Sequence, residues 1–71
     1  MKKWYHIEFN NIEEREIADT FKRFLSIHKF TFNSSECFIN NLVSVYCTEK
    51  EAIFLNEKLD IIRELVNELR S

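Results

Sequence analysis

The chain has 71 residues, of which 45% are hydrophobic and 31% charged, and its formal net charge is −2. A chain of this length forms a single domain, residues 1–71, with a small core. The composition is that of a soluble globular protein. The slightly acidic balance argues against a nonspecific nucleic-acid binder, which is usually basic. It also falls far short of the charge density needed to imitate a phosphate backbone.

We expect a cytoplasmic protein that contacts no membrane. His6 and Glu8 interrupt the apolar segment that a signal peptide would need. The longest apolar run, Ala52 to Leu55, is far shorter than the roughly 20 residues of a membrane span. Gly and Pro are absent, whereas residues with AT-rich codons such as Ile, Phe, Asn and Lys are abundant. This composition indicates an AT-rich gene, as in many low-GC bacteria and their phages.

The first predicted elements are a strand and a helix. Residues 3–9 alternate in polarity, which predicts a strand with one buried face. Its inward side chains are Tyr5, Ile7 and Phe9, and its outward side chains are Trp4, His6 and Glu8. Asn11 with Glu14 predicts an N-cap, and a helical face then predicts a helix from about Ile12 to His28. That face consists of Ile17, Ala18, Phe21, Phe24, Leu25 and His28.

A hairpin follows. Phe30 and Phe32 restart the alternation in the second strand of the chain, and residues 42–47 alternate as the third. Without glycine, asparagine most readily accepts a left-handed conformation, so we expect a turn at Asn40-Asn41.

The register of this predicted turn has four consequences. It pairs Phe38 with Val43, Glu36 with Val45 and Ser34 with Cys47. Phe38 then faces inward, and so does Glu36, which is unfavourable. We therefore expect a bulge near Ser34-Ser35-Glu36, with residues 30–39 forming either one bulged strand or two short ones. Cys37 would lie opposite Ser44, which argues against an intramolecular disulfide.

A long helix from Thr48 to Leu69 closes the chain. Thr48 and Glu51 match a capping box. One apolar stripe faces the core and a second lies beside it. The first stripe is Ala52, Leu55, Leu59, Ile62, Val66 and Leu69, and the second is Phe54, Ile61 and Leu65. At 1.5 Å per residue the helix is about 33 Å long, so its last two turns should extend beyond a sheet of seven-residue strands, leaving Leu65, Val66 and Leu69 to find another partner.

The element order predicts an α+β fold. We expect a three-stranded antiparallel sheet in the order 2-3-1, with both helices on one face. This is a ferredoxin-like βαββα arrangement without its last strand, so the first strand would expose an unpaired edge.

The outward sheet face is one candidate site. It carries the partner-binding candidates Trp4, His6, Glu8, Ser44 and Tyr46. Aromatic side chains on these two strands are how some RNA-binding domains stack bases. The chain lacks their basic, glycine-containing motif, so protein contact or cross-strand packing is the favoured interpretation.

Catalytic and metal sites are not indicated. The residues His6, His28, Cys37 and Cys47 do not have the spacing of a zinc site. His6, Glu8, Ser44 and Cys37 offer acid, base and nucleophile types, but a three-stranded domain provides little room for the required cleft. We expect no enzyme activity, no metal and no cofactor.

The last helix carries two further candidates. Phe54, Ile61, Leu65 and Leu69 form a possible interface of a homodimer, although Phe54 and Ile61 would instead be core if they contact the first helix. Glu57, Asp60, Glu64 and Glu68 form an acidic ridge, which is either a solvated surface or a contact for a basic groove.

The sequence therefore predicts a small, non-enzymatic, protein-binding domain, expected to be a homodimer. A concrete version is a phage or mobile-element inhibitor of a bacterial enzyme or defence complex, in the manner of anti-CRISPR proteins. The alternative is a nucleic-acid-binding regulator that uses the sheet face together with the basic residues of the chain. These basic residues are Lys2, Lys3, Lys22, Arg23 and Lys29.

Overall fold

The computed structural model describes residues 1–70. Its elements are β1 (Lys3–Asn10), α1 (Arg15–Ile27), β2 (Thr31–Glu36), β3 (Asn40–Cys47) and α2 (Glu49–Arg70). The strands form one antiparallel sheet in the order β1-β3-β2. The predicted α+β class, the three-stranded sheet and the central position of its third strand are therefore confirmed.

One face of the sheet and the two helices enclose the core. Side chains alternate across a strand, and the buried residues of β1 and β3 all have odd numbers. The core consists of Phe9, Ile17, Ala18, Phe21, Leu25, Val43, Val45, Cys47, Leu55, Leu59, Ile62 and Val66. The even-numbered side chains of β1 and β3 and the odd-numbered side chains of β2 lie on the opposite face, which neither α1 nor α2 covers.

The start of α1 differs from the prediction. The helix begins at Arg15, not near Ile12, and Asn11 is not its cap. Instead, the Asn10 side-chain oxygen accepts hydrogen bonds from the amides of Ile12 and Glu13 at 2.9 and 3.0 Å. Asparagine commonly accepts such bonds two and three residues ahead. The chain therefore completes a turn before the helix begins.

The end of α1 is a Schellman motif without glycine. The amide of Phe30 donates to the Leu25 carbonyl at 2.9 Å, and the amide of Lys29 donates to the Ser26 carbonyl at 3.1 Å. This motif needs a residue in the left-handed region, and Lys29 takes that conformation with a φ of 59°. Because Leu25 and Phe30 both join the core, their packing stabilises the reversal that directs the chain into β2.

The predicted register between β2 and β3 is wrong. Phe32 pairs with Val45, Ser34 with Val43 and Glu36 with Asn41. The amide of Cys37 donates to the carbonyl of Asn40 at 2.8 Å, so the connection passes through Phe38 and Ile39. Compared with the predicted register, the observed pairing shifts each β2 residue by an even number of positions along β3. Phe32 therefore still faces inward.

Three smaller expectations fail with that register. Phe38 does not face inward but lies at the hairpin tip, where 89% of it is exposed. The six pairs of β2 are continuous, so residues 31–36 form one strand without a bulge. Cys37 lies in the turn, and the residue opposite Ser44 is Asn33. The connection uses no positive φ, since Lys29 is the only non-glycine residue among positions 1–70 with one.

The inward position of Glu36 is stabilised by polar contacts. Its carboxylate accepts a hydrogen bond from the side-chain amide of the fully buried Asn41 at 3.2 Å. The ammonium of Lys22 on α1 lies 3.5 Å from the same oxygen. Glu36 is at the end of β2, where its carboxylate remains partly exposed, so the chain avoids the buried charge that the predicted register implied.

The predicted capping box of α2 is confirmed. The Thr48 amide donates to the Glu51 carboxylate at 2.9 Å, and the Glu51 amide donates to the Thr48 hydroxyl at 3.2 Å. Hydrogen bonding of the Glu51 carboxylate to the Thr48 backbone, and secondly to the Thr48 side chain, holds the pKa of Glu51 below its ordinary value of 4.5. Because this pKa is lowered, the stabilisation is present above pH 4.5 and is lost as the pH falls through the lowered pKa.

The far end of α2 agrees with the prediction only in part. Leu65 and Leu69 are 54% and 86% exposed, but Val66 is 7% exposed and belongs to the core. The helix end is also tied to the start of α1. The Arg70 guanidinium donates to the Glu13 carbonyl at 2.7 Å, and Arg63 contacts the Glu14 carboxylate at 3.3 Å. The extension beyond the core is therefore about one turn.

We expect Thr48→Ala to lower the free energy of unfolding by about 1 kcal/mol, the typical contribution of an N-cap side chain. Urea denaturation followed by circular dichroism measures this value. Thr48→Ser is the matched control, because it keeps the hydroxyl and should retain most of the stability. Equal stability of the alanine variant and the wild-type chain would show that the capping box does not stabilise α2.

Candidate functional site

An apolar stripe on α2 is the first exposed surface of interest. Phe54, Ile61, Leu65 and Leu69 lie on one side of the helix, and all four are exposed. Phe54 packs partly against Phe24 of α1, with ring centroids 6.4 Å apart, and Lys58 lies 5.3 Å from its centroid. The first residue of the stripe, Phe54, is therefore partly covered by α1. The other three residues follow along the exposed side of α2.

The acidic ridge lies directly beside this stripe. Its members Glu57, Asp60, Glu64 and Glu68 are all exposed. Residues three apart on a helix are surface neighbours, so Glu57 adjoins Phe54 and Glu64 adjoins Ile61. Among residues 1–70, no cation forms an ion pair with Glu57, Asp60 or Glu64. The helix thus presents apolar and negative surfaces side by side.

The outward sheet face holds the predicted set from β1 and β3. Trp4 pairs with Tyr46 and His6 with Ser44 in the register. The rings of Trp4 and Tyr46 are 5.2 Å apart and tilted by 47°, a geometry in which aromatic pairs stabilise each other. The imidazole Nδ1 of His6 lies 2.7 Å from the Ser44 hydroxyl. Glu8 lies on the same face, opposite Leu42.

Two of the basic residues of the nucleic-acid alternative, Lys22 and Lys3, do not join Trp4 on the outward face. Lys22 lies on α1, across the sheet from that face, where its ammonium is 3.6 Å from Asp19 and 3.5 Å from Glu36. Lys3 has an inward register position and lies 5.3 Å from the ring of Tyr5. The outward face therefore offers aromatic rings without an adjoining group of lysines from α1.

The contact between His6 and Ser44 has the distance of a base and a nucleophile. It lies on the outward sheet face, where the bond between the two side chains is exposed. A depression of about 80 Å³ between β1 and α2 is lined partly by His6 and Cys47. Cys47, however, shares the inward side of β3 with Val43 and Val45, whereas the His6 ring bonds to Ser44 on the outward side. The strand therefore separates these two side chains.

The four histidine and cysteine side chains, for which the sequence predicts no metal site, lie in different parts of the fold. His6 is on the outward sheet face, and His28 stacks on Phe24 at the end of α1 with a centroid distance of 4.3 Å. Both cysteines are free thiols, Cys37 in the hairpin turn and Cys47 at the other end of β3. Residues 1–70 contain no group of three His, Cys, Asp or Glu side chains that would hold a metal ion.

Neither helix among residues 1–70 has the length and apolar content of a membrane span.

The unpaired edge of β1 has a defined pattern that the sequence did not reveal. The Asn11 amide donates to the Ile39 carbonyl at 2.8 Å, and this pair continues the β1–β3 register. Hydrogen-bonded pairs alternate in an antiparallel ladder. The odd-numbered residues of β1 therefore bond to β3, and the backbone groups of its even-numbered residues point to the open edge. These residues are Trp4, His6, Glu8 and Asn10.

Glu14 closes one end of this edge. The Asn10 amide donates to the Glu14 carboxylate at 3.1 Å, and the Asn10 carbonyl accepts the Glu14 amide at 2.8 Å. Both edge groups of Asn10 are thus satisfied within the chain. The remaining open edge of β1 consists of Trp4, His6 and Glu8. No sequence motif predicts this arrangement, because it depends on the conformation of the turn that precedes α1.

The two cysteines should differ in thiol reactivity. Cys37 is exposed. Burial raises the pKa of the Cys47 thiol above its ordinary value, and the nearby Glu51 carboxylate raises it further, so less thiolate is present at a given pH. We expect a chromogenic disulfide reagent to modify one thiol rapidly in the native chain and both in denaturant. Loss of the rapid phase in Cys37→Ser checks the assignment, and rapid reaction of two native thiols would contradict it.

Comparison with known proteins provides no relative from which a role could be transferred. No protein-family model, no curated protein and no solved structure matches the chain. The function must therefore be inferred from the helix, the sheet face and the strand edge described above.

Proposed function

We propose that this chain is a non-enzymatic protein-binding domain that inhibits its target by occupying a groove on it. The observation that carries this proposal is the apolar stripe of α2, which remains exposed beside three carboxylates that form no ion pair within residues 1–70. An amphipathic helix that inserts into a groove is a common mode of protein recognition. Exposed apolar residues in a row on one helix are a frequent mark of such contact sites.

The charges on α2 favour a different protein over a second copy as the occupant. If two copies packed their stripes antiparallel about a two-fold axis, both acidic ridges would lie on the same side of the contact. Glu57, Asp60 and Glu64 would then approach the same residues of the other copy, and like charges repel. A target with an apolar groove and lysine or arginine residues along one rim would instead pair with the ridge.

The class of target follows from this chemistry. Basic grooves are typical of proteins that handle nucleic acid, and a bacterial enzyme or defence complex of that kind is our proposed target. The AT-rich composition supports a phage or mobile-element origin, so the proposed setting is the host cytoplasm, and the role resembles that of anti-CRISPR proteins. The element order and the β1-β3-β2 sheet support a ferredoxin-like βαββα arrangement as the scaffold.

The proposal predicts that Leu65→Glu abolishes target capture. Both Leu65 and the control position Ile27 are exposed apolar residues on helices, so neither substitution should unfold the chain. Immobilised wild-type protein and Ile27→Glu should enrich the same protein from a low-GC bacterial lysate, and Leu65→Glu should not. With the purified target, calorimetry should show at least a tenfold loss of affinity, which corresponds to about 1.4 kcal/mol.

A charge-reversed Glu64→Lys variant tests the role of the ridge. The affinity for the purified target should fall and become less sensitive to salt, because an attraction between exposed opposite charges is screened by ions. Equal capture by the wild-type chain, Leu65→Glu and Glu64→Lys would overturn the proposed contact surface. A target without inhibition in its own activity assay would leave binding in place but overturn the inhibitory role.

The nucleic-acid alternative has a direct readout, because Trp4 is the only tryptophan. Its indole lies on the sheet face that would stack bases. We expect titration with single-stranded DNA or RNA to leave its fluorescence unchanged at low salt, since the α1 lysine is engaged with carboxylates elsewhere. A saturable quench that salt reverses would instead favour the nucleic-acid function.

A further inference from the structure

We propose that β1 pairs antiparallel with β1 of a second copy, about a two-fold axis at His6, to form a continuous six-stranded sheet. This contact uses the strand edge and not α2, so it does not depend on the proposed inhibitory function. It would leave the α2 stripe of each copy available. The proposal rests on the backbone pattern of the edge and on the side chains that the pairing places opposite one another.

The number and spacing of the open backbone groups fit a copy of the same strand. Only Trp4, His6 and Glu8 point unsatisfied groups to the edge within β1, because Glu14 engages Asn10. Three evenly spaced residues are symmetric about the middle one. With the axis at His6, His6 pairs with itself across the axis, and Trp4 pairs with Glu8 of the second copy. Every open donor and acceptor of the strand then has a partner.

The neighbouring registers are poorer. With the axis at Ile7, His6 would pair with Glu8 of the second copy, but Trp4 would face Asn10, whose groups Glu14 already engages. With the axis at Tyr5, Trp4 would pair with His6 of the second copy, but Glu8 would face a residue before the start of β1. Each alternative leaves one of the three open residues without a partner in the strand, which costs hydrogen bonds.

The side chains also fit the His6-centred register. On the helix side of the sheet, Tyr5 would lie opposite Ile7 of the second copy. Both residues are only partly buried in the single chain, so the pairing would cover more of their apolar surface. Lys3 would lie opposite Phe9, and on the outward face Glu8 would lie opposite Trp4. No carboxylate faces a carboxylate and no lysine faces a lysine, and the only identical side chains that face each other are the two copies of His6.

Sedimentation equilibrium of the purified chain provides the first test. The contact is small, so samples should span about 10 µM to 1 mM, the range in which small interfaces associate. We expect the mass to rise from 8.6 kDa toward twice that value. The His6→Pro variant should remain monomeric, because it lacks the amide at the axis. The strand should survive, since that amide makes no bond to β3 and proline is tolerated at such edge positions.

Leu65→Glu is the control that separates this contact from α2. It should dimerise like the wild-type chain even though it fails to capture the proposed target. A wild-type chain that stays at 8.6 kDa throughout would overturn the dimer. A dimer that Leu65→Glu abolishes and His6→Pro preserves would overturn the strand-edge contact and assign self-association to the helix.

Cysteine cross-linking tests the register independently of proline. In a Cys37→Ser background, His6→Cys places two thiols on residues with Cα atoms about 5.5 Å apart, which is within disulfide range. Glu8→Cys is the matched control on the same strand face, and its two copies would be more than about 13 Å apart. Diamide oxidation should produce a reducible dimer band for His6→Cys and little for Glu8→Cys. The reverse pattern, or no cross-link in either variant, would overturn the register.

Discussion

The pairing of β3 with both of its neighbours is the constraint on which the rest of the structure depends. Because β3 is paired on both sides, its alternation decides which face of the whole sheet is apolar. Val43 and Val45 on that face meet the inward residues of β1 and β2, and the two helices bury the resulting apolar surface. The outward face, the open edge of β1 and the exposed side of α2 are what this arrangement leaves in contact with water.

The sequence predicts the elements better than the connections between them. Periodicity depends on which residues meet the core, and burial is the dominant stabilising effect, so β1, β3 and α2 are predictable. The pairing of Phe32 with Val45 was not predictable. An even shift in register keeps every inward side chain inward, so the hydrophobic pattern does not distinguish between such registers. Two consecutive asparagines are typical of a turn, whereas the observed turn residues, Phe38 and Ile39, carry no turn signal. Polar contacts of Glu36 remove the objection that suggested a bulge.

The proposed surfaces differ in how much the sequence reveals. The stripe and ridge of α2 follow from helical spacing alone, because three- and four-residue intervals define neighbours on a helix. The open edge of β1 is predictable as an edge, but not as a set of three residues. The edge ends where Asn10 bonds to Glu14 across the turn before α1. The sequence pattern instead predicts Asn11, one residue later, as the capping asparagine. Loop geometry of this kind depends on the packed strand and helix around it.

The two proposed contacts are compatible with each other. One uses backbone groups in the plane of the sheet, and the other uses side chains on a helix that lies on one face of it. A dimer formed through β1 would carry two α2 surfaces, so a target with two equivalent sites would be bound with an increased effective concentration. A small, weak contact between copies would then have a large effect on the occupancy of the target.

The left-handed conformation of Lys29 has an evolutionary consequence. A residue with a Cβ in this region is less stable by roughly 1–2 kcal/mol than glycine would be, yet this chain has no glycine anywhere. Glycine codons differ from lysine codons at more than one nucleotide and are GC-rich, whereas asparagine codons are one substitution away and keep the AT-rich bias. Asparagine also tolerates the left-handed region. Position 29 in related genes should therefore vary mainly between lysine and asparagine, so that codon bias, as well as fold stability, determines how α1 ends.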